Sequence, residues 1–255
     1  MISIINIPQL QDNYSYAISN NNEVIIIDPA DSVSILKYVG KNQLLLKAIL
    51  LTHHHTDHTA GVEGILNKIE VPVYSPNKKI KYTTIIIKDR DTIDLNFIKI
   101  EVIATPGHTI DHVVFYSKEN NLLFSGDTLF RLGCGRVFEG TYEQMFISLQ
   151  KIYALDNKTI VYCGHEYTNT NLDFLLSNFP QNKNLLIEKK KIDQQIKETG
   201  SSIPFNLGKE KQLNPFLAPD SNYFAEFKIK NDFSTFEIFS HLRDLKNNFQ
   251  WIKQK

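Results

Sequence analysis

Thr52-His53-His54-His55-Thr56-Asp57-His58 follows directly on the apolar run Leu44-Leu45-Leu46-Lys47-Ala48-Ile49-Leu50-Leu51. Half of the chain's 8 histidines fall in this window, beside a carboxylate, and imidazole and carboxylate are ligands that Zn²⁺, Fe²⁺ and Mn²⁺ accept. If the chain leaves a buried strand still extended, side chains alternate: His53 and His55 point one way, where one metal can take both, and His54 the other. Asp57 and His58 are adjacent, and Val62, Ile65, Leu66 and Ile69 behind them recur at helical spacing. A change of direction at this strand-to-helix junction would turn Asp57 and His58 toward a second metal. A surface histidine tract that binds metal by chance is the competing reading, and this order and context disfavour it.

Three segments further along share one format, a β run that ends in Gly and a ligand-type residue. Thr105-Pro106-Gly107-His108-Thr109 follows a run at 97–103, Ser125-Gly126-Asp127-Thr128 follows 122–124, and Gly164-His165-Glu166 follows 160–163. Glycine lets the backbone turn sharply and approach a ligand closely, so each strand can deliver one side chain to a common edge. Taken singly, each is a turn more often than a ligand. Together they describe one site.

Around these motifs the chain reads mostly as strands. Residues 2–7 and 14–19 are strands joined by the polar turn Gln11-Asp12-Asn13, and Val24-Ile25-Ile26-Ile27 stops at Asp28-Pro29. A short helix at 32–39 precedes the strand at 44–51. Strands follow at 71–74, 85–87 and 97–103, then a hairpin of 113–116 and 122–124, a helix near 142–154 and a buried strand at 160–163. After 165 no strand is expected. Helices at 169–178 and 184–197 lead through a loop with Pro204, Gly208, Pro215 and Pro219 to a last helix. That helix opens on the capping box Ser234-Thr235-Phe236-Glu237 and carries Ile238, Leu242, Leu245 and Phe249 along one side. The class is α+β, sheet packed on sheet with helices outside.

Composition narrows the function. At 255 residues the chain suits a large domain with a smaller appendage. Lys+Arg and Asp+Glu are each 28, a formal net charge of +0, so nothing suggests binding to nucleic acid or a membrane surface. The start, Met1 to Pro8, lacks a basic segment and a small-residue cleavage site, and no apolar run approaches the ~18 residues of a spanning helix. Two cysteines, Cys134 and Cys163, make no disulfide framework and suit a reducing cytosol, with both thiols as small buried fillers.

In chain order, H-x-H-x-D-H, T-P-G-H-T, G-D-T-L-F (Gly126 to Phe130) and G-H-E-Y-T (Gly164 to Thr168) resemble the metallo-β-lactamase superfamily and, more narrowly, glyoxalase II, the hydroxyacylglutathione hydrolases. I-P-x-x-x-D-N-Y (Ile7, Pro8, Asp12, Asn13, Tyr14), G-C-G-R-x-F-E-G-T (Gly133 to Thr141) and N-P-F (Asn214 to Phe216) are similar to that family too. The resemblance implies a four-layer αββα sandwich over 1–168 and a C-terminal helical substrate-binding domain over 169–255. It implies one metal on His53, His55 and His108, a second on Asp57, His58 and His165, and Asp127 bridging them. The ions would be two divalent metals, zinc foremost, with iron or manganese as alternatives. Asp57 and Asp127, with a metal-bound hydroxide, would be catalytic. Two divalent ions against two carboxylates and a hydroxide leave a residual charge of about +1, which favours a reaction that builds negative charge.

The implied reaction cleaves S-lactoylglutathione, or another S-2-hydroxyacylglutathione, to glutathione and D-lactate, a step of methylglyoxal detoxification, in a cytoplasmic protein expected to be a monomer. A thioester suits the site because a thiolate leaves with less protonation than an amine. Glutathione is anionic, and the resemblance implies contacts from Arg136, Tyr167, Arg243 and Lys246, with Phe138 where some members have Tyr. Asp111 stands where the family's T-P-G-H-T-x-G-H has Gly, and His112 is read as a partner behind the ligands. Other enzymes of the superfamily (a lactamase, a one-iron persulfide dioxygenase, a nuclease) and a non-catalytic binding module are the alternatives. The complete second ligand set argues against a one-iron enzyme, and the neutral charge against a nuclease.

Overall fold

The computed structural model describes residues 2–221, 224 and 232–249. Of the expected C-terminal domain, 222–223, 225–231 and 250–255 lie outside the described residues. A first sheet begins as a hairpin of β1 (Ser3–Gln9) and β2 (Asn13–Asn20), and β3 (Glu23–Ile27) adds antiparallel to β2. Helix α1 (Ser32–Lys41), whose first turn is capped by Asp31, carries the chain over to β4 (Leu45–Leu50), parallel to β3. Two short helices follow, α2 (Thr56–Thr59) and α3 (Val62–Leu66), before β5 (Val73–Ser75) and β6 (Ile85–Ile86) complete six strands in sequence order. Both faces of β3 and of the second half of β4 are buried, which explains the unbroken apolar runs Val24 to Ile27 and Ala48 to Leu51. Ile25, Ile27, Ala48 and Leu50 face the other sheet, whereas Val24, Ile26, Ile49 and Leu51 pack under Ile35 and Val39 of α1 and Val62 and Ile65 of α3.

The second sheet contains β7 (Thr92–Asp94), β8 (Lys99–Ala104), β9 (Val113–Ser117) and β10 (Leu122–Gly126), which pair antiparallel in succession. A small hairpin, β11 (Leu129–Phe130) and β12 (Gly133–Cys134), leads to α4 (Tyr142–Tyr153), started by a Thr141/Gln144 capping box. Met145, Leu149 and Ile152 of α4 are buried in the second sheet's cluster. β13 (Ile160–Cys163) joins β10 in parallel. The result is the expected four-layer αββα sandwich. Both cysteines are buried and free. Among the described residues no helix is long and apolar enough to cross a membrane.

Past 165 come α5 (Thr168–Asn178), α6 (Lys183–Thr199), a further strand β14 (Phe205–Asn206), α7 (Leu207–Leu213) and α8 (Thr235–Asn247). The expectation of no strand after 165 is therefore corrected, because Phe205 and Asn206 pair with Val161 and Ile160 at the sheet edge. Two residues are too short to show a period of two, and only the free edge of β13 makes them a strand. Where a loop was read, α7 forms, its Asn206 side chain capping Lys209 N–H. Its sequence, LGKEKQL, buries Leu207, Leu213 and the carboxyl of Glu210, so its inner face looked polar. Helix α8 has the expected Ser234/Glu237 capping box.

Strand direction explains why ligands collect at one edge. β8 and β10 are both antiparallel to β9, and β13 is parallel to β10, so all three end on the same side. His108, Asp127 and His165 follow these three ends, and the 53–58 segment follows β4.

Candidate metal centre

The chain turns where the sequence required it. His55 is the residue before α2, so His53 and His55 come from the strand exit and Asp57 and His58 from the first helical turn. His53, His55 and His108 bring ligand atoms within 4.8 Å of one another, and so do Asp57, His58 and His165. Asp127 lies between the sets. Its Oδ2 is 3.3 Å from His108 Nε2 and 3.3 Å from His165 Nε2, and its Oδ1 is 3.5 Å from His58 Nε2. His165 Nε2 is 3.4 Å from Asp57 Oδ2. Gly164 makes this closeness possible, because a Cβ there would lie 2.2 Å from Asp127 Oδ1.

Three buried polar atoms at the centre have no hydrogen-bond partner: His53 Nε2, His58 Nε2 and Asp127 Oδ1. These same three residues also form a group with ligand atoms within 4.8 Å. Buried nitrogen and oxygen lone pairs left without partners are costly, and cations held among them would satisfy all three. The donor set therefore fits divalent metal ions, and the two sets on either side of Asp127 suit a pair of them.

Behind His53, His58, His108 and His165 stand groups that set their orientation. His58 Nδ1 is 3.0 Å from Asp28 Oδ2, and Asp28 also accepts from Thr52 N (2.8 Å) and Thr52 Oγ1 (2.7 Å). His165 Nδ1 is 2.8 Å from Asp12 Oδ1, and Asn13 Nδ2 donates to Asp57 Oδ2 over 3.0 Å. His53 Nδ1 meets Thr52 Oγ1 at 2.9 Å, and His108 Nδ1 donates to the Arg136 carbonyl at 2.8 Å. His112 is fully buried, with Nε2 accepting from Asp127 N at 3.0 Å and Nδ1 beside the Thr105 hydroxyl at 2.9 Å. It holds the backbone of Asp127, the supporting place read for it.

The electrostatics follow this support. Burial pushes His53, His55 and His108 below the ordinary imidazole value, and His112 down to about 3. Burial acts downward on His58 and His165 too, but Asp127 and the carboxylates behind them hold His58 up at about 10 and His165 at about 11. The hydrogen bond with His165 holds Asp57 well below the usual carboxylate range. Burial works upward on Asp127, and His165 and His58 overcome it and hold that carboxyl far down.

Of the expected substrate residues, three stand at the metal centre. Phe138, 59% exposed, lies 6.0 Å from the His55 ring and 5.3 Å from His108, with the Arg136 guanidinium 5.5 Å over its face. Tyr167 stacks on His165 at 4.7 Å and 5°. Arg243 and Lys246 stand elsewhere: Arg243 is 4% exposed and donates to the Cys134 carbonyl at 3.0 Å, and Lys246 Nζ donates to the Thr170 carbonyl at 2.9 Å. Burial brings the Lys246 ammonium down to about 8. Asp111 and His54 form a neighbouring knot, with Asp111 Oδ1 2.9 Å from His54 Nδ1 and Glu139 Oε1 3.1 Å from His54 Nε2. Asp12, Asn13 and Asp28 were missed as site residues. Asp12 and Asn13 carried a signal, the D-N-Y stretch, whereas Asp28 carried only its place after a strand and before Pro29.

The metallo-β-lactamase superfamily model matches residues 10–165 and the hydroxyacylglutathione hydrolase C-terminus model matches 166–249. A hydroxyacylglutathione hydrolase of Wigglesworthia glossinidia brevipalpis is 42% identical over 97% of this chain and 99% of its own. One of Nitrosomonas eutropha is 38% identical over 98% of this chain and 100% of its own. A crystal structure of TTHA1623 in a di-iron-bound form superposes with TM-score 0.55 at 27% identity, over 63% of this chain and 90% of that one.

Proposed function

This chain belongs to the hydroxyacylglutathione hydrolases of the metallo-β-lactamase superfamily, and from that membership we propose that it hydrolyses S-lactoylglutathione and related S-2-hydroxyacylglutathiones to glutathione and the 2-hydroxy acid, D-lactate in the first case. The observation that carries the reading is Asp127 between two complete ligand sets, with its Oδ1 and two imidazole nitrogens buried and unpartnered. His53, His55 and His108 would hold one ion and Asp57, His58 and His165 the other, with Asp127 shared. Zinc is favoured because an imidazole-rich set with carboxylates suits it, and iron and manganese fit the same donors. When bound, such a pair makes a nucleophile of water at neutral pH and stabilises charge on a carbonyl oxygen.

The chain's own residues supply the rest. Asp28, Asp12 and the Arg136 carbonyl fix the imidazole tautomers so that lone pairs face inward. Phe138 and Tyr167 offer aromatic surface on either flank, and the Arg136 guanidinium over Phe138 is a cation for a carboxylate of the peptide. A glutathione thiolate is a good leaving group near neutral pH, so the reaction does not call for a separate general acid. All ligands come from one chain, so a monomer suffices, and the two free thiols suit the cytoplasm.

The test is a purified, metal-loaded sample given S-lactoylglutathione, a β-lactam and RNA in parallel. Release of glutathione thiol from the thioester alone is the expected result. Turnover of either other substrate with the thioester untouched would overturn the proposal.

A further inference from the structure

Between the ligands His53 and His55, the His54 ring turns to other partners. Its Nδ1 lies 2.9 Å from Asp111 Oδ1 and its Nε2 3.1 Å from Glu139 Oε1, so one imidazole spans the turn after His108 and the segment after Phe138. Asp111 is the hub of this knot. Its Oδ1 also accepts from Thr109 Oγ1 at 2.7 Å, and its Oδ2 accepts from Asn77 Nδ2 at 3.1 Å, which ties in the loop after β5. An ion pair in open water would count for little, but the Asp111 side chain is only 11% exposed and holds groups from three places along the chain. Glycine, the residue of the T-P-G-H-T-x-G-H pattern at this position, could hold none of them.

Glu139 carries the hold across to the residues read as substrate contacts. Its Oε2 accepts from Ile110 N at 2.9 Å while its Oε1 faces His54. Backbone bonds lay the same segment along the His108 turn: Phe138 N donates to His108 O at 3.3 Å and Gly140 N to Gly107 O at 3.1 Å. The first of these is long for an amide bond, so the firmer contacts beside Phe138 are those of the Glu139 side chain. Phe138 stands beside His55 and His108, and the Arg136 guanidinium lies over its ring. An exposed aromatic ring and a long cation lose freedom when they close on a ligand, and a backbone already pinned beneath them reduces that cost.

We propose that Asp111 is a positioning residue for the substrate: through His54 it fixes Glu139, and so holds the 136–139 segment, with Arg136 and Phe138, beside the first ligand set. This rests on the reading of Arg136 and Phe138 as substrate contacts. Removing the Asp111 carboxylate leaves Thr109, His54 and Asn77 without their acceptor, and the loosened His54 no longer holds Glu139. The loss is felt first in binding.

The experiment compares wild type, Asp111→Gly, Asp111→Asn, Glu139→Ala and the Asp111→Gly/Glu139→Ala double variant. Amide hydrogen exchange over 136–141, measured on the metal-loaded protein without substrate, reads the hold itself, and KM and kcat for S-lactoylglutathione read its effect. For Asp111→Gly the expectation is faster exchange over 136–141, KM raised about 3- to 10-fold, kcat within about twofold of wild type, and unchanged metal affinity by chelator competition. Asp111→Asn keeps an oxygen for Thr109 Oγ1 and His54 and stays close to wild type. The double variant is no worse than Glu139→Ala alone, because both substitutions act through one contact. Wild-type exchange or an unchanged KM in Asp111→Gly would overturn the proposal, and an unchanged KM with loss of metal affinity would place the hold on His55 instead. A wild type that leaves S-lactoylglutathione untouched would refute the proposed function, and the exchange result would still decide whether Asp111 holds the segment.

Discussion

The two histidine sets share Asp127 yet rest on different supports. His53 and His108 are backed by neutral groups, the Thr52 hydroxyl and the Arg136 carbonyl, while His55 meets His108 inside the set, and burial keeps all three below the usual imidazole value. His58 and His165 are backed by Asp28 and Asp12 and face Asp57 and Asp127, and they are held up at about 10 and about 11. The difference teaches how one site receives two cations. The first set offers lone pairs free of protons at neutral pH. The second carries more negative charge and, until a metal arrives, protons occupy the place between its carboxylates.

Asp127 is where the comparison can be broken outright. Because Oδ2 is equally close to one histidine of each set, Asp127→Ala should strip both positions and reduce turnover by on the order of 10⁴-fold. Metal analysis after dialysis checks this, and full occupancy of both positions would end the bridging assignment. Next in size is Asp28→Asn. The amide still accepts from Thr52 but removes the charge behind His58, so metal affinity at the Asp57/His58/His165 set should fall roughly 10- to 100-fold. A smaller change is expected at the other set, and an equal loss at both would show that Asp28 acts mainly through Thr52 and His53.

A pH series sharpens the same contrast. Metal uptake by the carboxylate-backed set must displace protons, so its affinity should climb with pH all the way up to about 10, about tenfold per unit for each proton displaced. The neutral-backed set should be nearly flat above 7. Stability of the chelated protein runs the other way: folded values raised above the unfolded one give stability that is full below about 6.5 and is lost as pH rises through 10 to 11. Calorimetric titration and thermal melts, each with and without chelator, separate the two. Parallel slopes for both metals would remove the distinction.

How much of this was legible depended on how local the signal was. His53 to His58 could be read because strand alternation and a helix start fix where each side chain goes, and the Gly-His and Gly-Asp strand ends supplied the remainder. Sheet packed on sheet followed from strands in the majority with occasional helices between them, and the four layers from the family resemblance. What stayed hidden depends on partners distant in sequence. Asp28 holds His58 across 30 residues, β14 exists only through its pairing with β13, and Arg243 reaches carbonyls more than a hundred residues away. Arg243 also shows a limit of charge reading: a basic residue on an amphipathic helix suggests an exposed cation, and only the packed structure shows it turned inward.

The smallest expected effect tests whether burial, as well as charge, separates the two supports. Asp28 is buried and holds three groups, while the Asp12 side chain is 40% exposed on the β1–β2 turn and, among the described residues, hydrogen-bonds only His165 Nδ1. Water screens Asp12, so its charge acts on His165 through a weaker field than Asp28 exerts on His58. Its neighbour also compensates: Asn13 donates to Asp57 Oδ2, and the Glu166 N–H donates to the Asp12 carbonyl, so the turn keeps its place without the carboxylate. Asp12→Asn should therefore lower metal affinity at the carboxylate-backed set only severalfold, with turnover at saturating metal close to wild type. Chelator competition run on Asp12→Asn beside Asp28→Asn measures the ratio. A loss from Asp12→Asn as large as that from Asp28→Asn would mean that the charge behind each imidazole counts regardless of solvent, and the support would then have to be described by charge alone.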